Sequence, residues 1–257
     1  RIRRPSIPRL RLIAGVGLRL WSRRDFRARM SEQQHQKHRL YGRAAGKPLS
    51  KRQQALIDDV LPTLGVPVTE PGQLQPGSLF SSSREVWLEI GFGGGEHLAG
   101  QAQLHADIGF IGAEPFVDGV AKLLTALEEQ QVSNVRLRRG DARDLVAQFA
   151  DRSIDRAFIL FPDPWPKTRH RKRRLVQPKF IVELARVLKP GARLRFATDW
   201  ADYANRALAD VVASGLFEWT AGRADDWRVA PADHVTTRYQ EKRLGDCAPV
   251  FLDFVRK

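Results

Sequence analysis

Residues 85–100 read EVWLEIGFGGGEHLAG. EVWLEIGFG is a short apolar strand that ends in glycines, and GEHLAGQAQLH then reads as a helix, so the stretch is a strand-to-helix turn. The alternation repeats on either side. GFIGAEP is a second strand, and FVDGVAKLLTALEEQQ is a helix with Phe116, Val120, Leu123, Leu124 and Leu127 on one face. NVRLRRGDA and DRAFILFPDPW are strands three and four. QPKFIVELARVL is a helix with Pro178 near its start, the stripe Phe180, Ile181, Leu184, Val187 and Leu188, and Lys189-Pro190-Gly191 as its stop. ARLRFATDW is a fifth strand, and ADYANRALADVVASG a helix ended by Gly215. LFEWTAG and VFLDFVRK are two last strands with no helix signal between them. This spacing predicts an α/β fold, an open, doubly wound, mostly parallel sheet with helices on both faces. Ligands bind beyond the carboxyl ends of such strands. Here those five ends carry Glu89, Glu114, Asp141, Asp163 and Asp199.

The remaining sequence divides into three parts. Residues 1–29 form a basic tail with ten arginines and one acid, Asp25. Met30 is the only methionine, so the tail is expected to lie upstream of the native start, or else to be a targeting segment or an RNA-binding arm. Residues 30–83 form an N-terminal helical arm and loop. In it SKRQQALIDDVLP reads as a helix with Ser50 and Gln53 at capping-box spacing and Pro62 as its stop. GVPVTEPGQLQPGSLFSSS reads as loop. Residues 84–257 form the main domain. With 257 residues, 42% of them hydrophobic, the chain suffices for one domain with a real core.

Of the formal net charge of +14, residues 1–29 carry +9 and Lys167–Arg174 carry +6, which leaves about −1 for the rest. Charge so focused points to a polyanionic partner rather than to general solubility. The single Cys247 excludes a disulfide framework and favours a reducing compartment. No apolar run approaches membrane-spanning length. His35 and His38 have no carboxylate partner, and no ligand set with metal-site spacing appears, so no metal is expected. His97 and His105 read as ordinary helix residues.

The dinucleotide fingerprint would need glycine at position 96, where Glu96 stands, and a pyrophosphate there would meet a carboxylate. The turn therefore suits a ligand without phosphate. Glu114 lies 23 residues after Gly91, as a carboxylate that accepts from a ribose diol does. Asp141 would accept from an adenine amino group, and Glu89 would face an ammonium. Adenosine, an ammonium and no phosphate together describe S-adenosylmethionine, whose cationic sulfonium suits an acid-lined pocket.

At residues 160–174, LFPDPWPKTRHRKRR, the chain resembles the bacterial tRNA (guanine-N7-)-methyltransferases. The resemblance covers most of residues 40–257 and includes EIGFGGGEH, GAEP, GDARDL, LKPGARLRFATDW and TRYQEKRLGD. It implies the class I methyltransferase fold with a seven-stranded sheet, S-adenosylmethionine as cofactor, and N7 of guanosine 46 in the tRNA variable loop as target. It also implies a cytoplasmic protein, monomeric or homodimeric, with no membrane. By the family's pattern Glu89, Gly91, Gly93, Glu114, Asp141 and Asp163 would hold the cofactor, and Asp163 would be catalytic. Lys167 and Asp199 would contact the substrate. Arg169, His170, Arg171, Lys172, Arg173 and Arg174 would grip RNA. Thr237, Arg238, Tyr239 and Gln240 would close over the guanine. The family usually has Glu at the last of these; Gln240 keeps an acceptor oxygen and loses the charge. Trp165 either stacks on the base or packs beneath its loop. A cofactor-fold subunit without chemistry, another RNA or small-molecule methyltransferase and a dehydrogenase are the competing readings. The intact acids speak against the first, the cationic run against a small-molecule substrate, and Glu96 against a dehydrogenase.

Overall fold

The computed structural model describes residues 22–33, 40, 41, 46 and 48–257, with 31–33 described in their backbone alone. Residues 1–21, His35 and His38 lie outside the described residues.

Helix α1 (Arg23–Gln33) comes first. Next is α2 (Lys51–Ala55), where Ser50 and Gln53 form the expected capping box. Pro62 does not end this helix. A π turn over Leu56–Val60 intervenes, and α3 (Leu61–Leu64) restarts with Pro62 in its first turn, where an N–H is not needed. The alternating region then follows: β1 (Glu85–Ile90), α4 (Glu96–Leu104), β2 (Ile108–Ala113), α5 (Val117–Glu129), β3 (Val135–Arg138), α6 (Ala142–Gln148), β4 (Ile154–Leu160), α7 (Pro178–Val187), β5 (Leu188–Thr198) and α8 (Ala201–Ser214). After it come β6 (Phe217–Trp219), α9 (Asp225–Arg228), α10 (Arg238–Glu241) and β7 (Val250–Arg256).

The seven strands lie in one sheet, in the order β3-β2-β1-β4-β5-β7-β6. β1 to β5 are parallel, and β7 runs antiparallel between β5 and β6. This is the mostly parallel seven-stranded sheet expected. The strand period of two sorts its side chains into two cores. On β1, Val86, Leu88 and Ile90 face the core that includes Leu145, Ile181 and Leu208 from α6, α7 and α8. Trp87 faces the other, with Leu98, Leu123 and Leu124 from α4 and α5. Helices thus cover both faces.

Several local expectations give way. α6 carried no sequence signal because a seven-residue helix shows too little of its period. α9 and α10 occupy the stretch that read as helix-free. Residues 189–191 do not cap α7 as a separate turn. They enter β5 through a register shift between Ile154 and Arg156 of β4, where Pro190 needs no ladder donor. The three-part division of the chain describes composition rather than separate bodies. α1 runs through Met30, and Phe26 is buried in the main core with Val66 and Leu74. The Val66 amide donates to Leu137 O, and the Leu74 amide to Gln148 O, which ties the expected loop to β3 and α6.

Candidate active site

The carboxyl ends of β1, β2 and β4 open onto a cleft of about 690 Å³. The turn after β1 forms one wall. Gly91, Gly93 and Gly95 have φ of 73°, 55° and 81°, which glycine adopts without a Cβ clash. A Cβ on Gly91 or Gly93 would meet nothing within 4 Å, so bare backbone faces the open cleft.

Glu114, just past β2, is buried and held on both oxygens. The Gly93 amide donates to Oε2 and the Phe116 amide to Oε1, each at 2.9 Å. This close approach depends on Gly119, whose Cβ would lie 2.2 Å from Gly93 O. Burial pushes the Glu114 pKa up, the two amides oppose that, and the Asp163 charge adds to it. Glu89 is buried at the end of β1, lines the cleft, and meets His97 Nδ1 at 2.7 Å. Asp141 lines the cleft and is also the N-cap of α6. It accepts from the Arg143 amide at 2.9 Å and from the Arg143 guanidinium on both oxygens. Much of its capacity is therefore engaged within the protein.

Asp163 stands between Pro162 and Pro164. Flanking them, Phe161 and Trp165 have φ of 49° and 42°, a strained backbone for non-glycine residues. Desolvation raises the Asp163 pKa, and no hydrogen bond pulls it down. Four acids, Glu89, Glu114, Asp141 and Asp163, two of them with raised pKa, thus converge on one cleft, an arrangement that a cationic ligand relieves.

Residues 83–248 match a family model described as "Putative methyltransferase". A tRNA (guanine-N(7)-)-methyltransferase of Caulobacter sp. (strain K31) is 58% identical over 225 residues, covering 88% of this chain and 98% of that protein. One from Hyphomonas neptunium is 52% identical over 216 residues, covering 84% and 98%. The chain belongs to the tRNA (guanine-N(7)-)-methyltransferase family.

The structure sorts the remaining residues that the family's pattern singles out. The cationic run forms a 3-10 helix, Thr168–Arg173. Lys167, Arg169, Arg171 and Lys172 are exposed, and Arg171 pairs with Asp202 at 3.0 Å. His170 is half-buried and sets its ring edge-on to Trp165. Arg174 departs from the expected RNA contact. It is 3% exposed, donates from Nε to Pro164 O at 2.7 Å, and lies over the Tyr203 ring at 4.6 Å. It fastens the Asp163 loop to α8 instead. Arg173 stacks over Tyr41 and Trp165 at 4.7 and 5.0 Å, so Trp165 packs in a cluster at the cleft rim.

Thr237 caps α10, and Thr237, Arg238 and Tyr239 line the cleft. Gln240 and Asp199 are not among the lining residues. Gln240 Oε1 meets His234 Nε2 at 2.8 Å. Asp199 is buried at the end of β5, against Gly245, whose Cβ would lie 2.1 Å from Asp199 O. Burial raises its pKa over the opposing pull of the Gly245 amide and the Tyr239 hydroxyl.

Other participants escaped the sequence. Leu40, Tyr41 and Lys122 line the cleft without belonging to any motif, and Lys242 lines it from TRYQEKRLGD without having been singled out. His97, read as an ordinary helix residue, is fully buried against Glu89. Its position, eight residues after Glu89 across a glycine turn, carries no periodic signal. Among the described residues no group of three or more His, Cys, Asp or Glu is placed to hold a metal ion, and no helix is long and apolar enough to cross a membrane.

Proposed function

We propose that this chain transfers the methyl group of S-adenosylmethionine to N7 of guanosine 46 in the variable loop of tRNA. The observation that carries the reading is the cleft itself. Glu89, Glu114 and Asp163 line it, and a cationic helix begins five residues after Asp163. The relatives' name supplies the substrate class. The single Cys247 agrees with a reducing cytoplasm, and the chain acts there as a monomer or homodimer.

The residues fit the cofactor. Glu114 lies in a cradle of backbone amides beside a glycine wall that no Cβ obstructs, which suits a ribose diol. Glu89 takes the ammonium end, and Asp141 the adenine end with whatever capacity Arg143 leaves. Bound S-adenosylmethionine supplies an electrophilic methyl group on a cationic sulfonium.

Guanine N7 holds a lone pair at neutral pH, so no general base is needed. The protein's task is to place N7 in line with the methyl group. As N7 is alkylated the purine becomes cationic, and the Asp163 carboxylate stabilises that developing charge. The prolines on either side and the Arg174 bond to Pro164 O hold this carboxylate before substrate arrives. Thr237, Arg238 and Tyr239 close the opposite side of the base. Lys167, Arg169, Arg171 and Lys172 bind phosphates and fix the register of the RNA.

The test uses the full chain, methyl-labelled S-adenosylmethionine and unmodified tRNA transcripts, with chemical cleavage at N7-methylguanosine. One cleavage in the variable loop, lost in Asp163→Ala, is expected. Tight binding of cofactor and tRNA without label, or label at another base, refutes the assignment.

A further inference from the structure

Two histidines that the methyl transfer does not use, His97 buried and His234 half-buried, lie between the cofactor side of the cleft and the turn at Thr237–Gln240. His97, in the first turn of α4, is 0% exposed. Its Nδ1 meets Glu89 Oε2 at 2.7 Å. Its ring stands 5.6 Å from the ring of His234, centroid to centroid. Nε2 of His234 in turn meets Gln240 Oε1 at 2.8 Å. Phe158 packs edge-on against His97, and Phe251 against His234, at 4.9 and 4.8 Å.

The partners assign the tautomers. A carboxylate oxygen and an amide oxygen both accept, so neutral His97 donates from Nδ1 and neutral His234 from Nε2. The two remaining ring nitrogens, His97 Nε2 and His234 Nδ1, are buried without a hydrogen-bond partner, and both are then acceptors. Two acceptors do not bond to each other, so no proton passes directly between the rings. What passes is position, by ring-on-ring contact inside a close-packed aromatic frame.

The backbone around His234 is held to the same helix. Asp233 accepts from Arg156 and Arg195 at 2.6 and 2.7 Å, and Gln101 of α4 donates to Asp233 O. A Cβ on Gly100 of α4 would stand 3.1 Å from the Val235 side chain. The loop that carries the guanine-facing turn therefore rests on the helix that starts at the cofactor's glycine turn.

We propose that Glu89, His97, His234 and Gln240 form one file, buried at Glu89 and His97 and half-buried at His234 and Gln240, through which the cofactor end of the cleft and the Thr237–Gln240 turn set each other's position. His97 and His234 are positioning residues in it. Gln240 acts through His234, since its acceptor oxygen is spent there. The inference rests on the proposed function, because it takes Glu89 as the residue that meets the cofactor's ammonium. Coupling of this kind is reciprocal in binding.

The probe is S-adenosylhomocysteine, which keeps the ammonium and lacks the transferable methyl group. Imidazole nitrogen signals of the full chain are recorded by NMR with and without it. His234 is not a cleft-lining residue, yet its signals should move along with those of His97. In methyl transfer, His234→Leu should raise the KM for tRNA about fivefold and the Kd for S-adenosylhomocysteine about threefold, with kcat changed less. His234→Gln keeps a donor at the Nε2 position and should restore both to within about twofold. A merely structural role would lower thermal stability in His234→Leu and leave Kd and KM of the folded protein unchanged. That result, or a cofactor-induced shift confined to His97, overturns the inference while methylation by the wild type stands. A wild type that neither binds S-adenosylhomocysteine nor labels tRNA overturns both readings.

Discussion

The run Lys167–Arg174 carries six cations that the structure divides into different roles, and salt dependence separates them. Lys167, Arg169, Arg171 and Lys172 are exposed, whereas Arg174 is buried against Pro164 O and Tyr203. Each phosphate neutralised by an exposed cation contributes a slope of about −0.8 in log K against log salt, between the values for single strands and duplexes. Four contacts give about −3.2, so raising salt from about 50 to 200 mM weakens binding about 80-fold through this run. The triple variant Arg169→Ala, Arg171→Ala, Lys172→Ala keeps one contact, and the same change weakens it only about threefold. Its stability should stay within about 0.5 kcal/mol of wild type, as for exposed substitutions generally. Arg174→Met should do the reverse. It leaves Pro164 O without its donor and removes the cation from the Tyr203 face, at a cost of about 2–3 kcal/mol, while the salt slope stays as in wild type. Filter binding of labelled tRNA over a salt series, with urea unfolding of each variant, measures both quantities. A lowered slope in Arg174→Met, or an unchanged slope in the triple variant, would refute this division.

Two further outcomes follow from the cleft. Gly119→Ala puts a methyl group 2.2 Å from Gly93 O. The backbone there must move, so Glu114 loses its amide cradle. Calorimetry should show at least tenfold weaker S-adenosylmethionine binding, and unfolding a loss of about 1–3 kcal/mol; wild-type affinity would contradict the cradle. Glu114, which is buried, and Asp163, which is partly desolvated by its loop although its surface stays exposed, both have raised pKa values. Their charge costs stability above the unfolded carboxylate range of about 4, and that cost fades as pH falls through the raised folded values. Cofactor binding has the opposite sign, since it needs both groups ionised. Affinity should fall as the pH is lowered towards those values, with protons released on binding there; calorimetry in buffers of different ionisation enthalpy would detect this. A pH-independent affinity would count against it.

Much of this protein is local. The strand-to-helix turn at 85–100 was legible because a short apolar run, a cluster of glycines and a helical period follow one another without interruption. The same holds for the acids at strand ends, since the sheet's topology alone brings Glu89, Glu114 and Asp163 to one edge. Chain-local signals failed where helices span only one or two turns, as in α6, α9 and α10. They failed also at Pro62, whose effect depends on the π turn before it.

Tertiary structure decided what sequence spacing cannot express. Six neighbouring cations are equivalent in a linear chain; burial against α8 makes Arg174 a fastener and leaves Lys167, Arg169, Arg171 and Lys172 exposed. The contact between Gln240 and His234, six residues apart, had no signal in the sequence. His97 looked ordinary because its partners, Glu89 and His234, lie 8 and 137 residues away along the chain. Periodicity reports the environment within an element. A hydrogen bond or ring contact between elements depends on where the sheet brings them together, and only the folded chain specifies that.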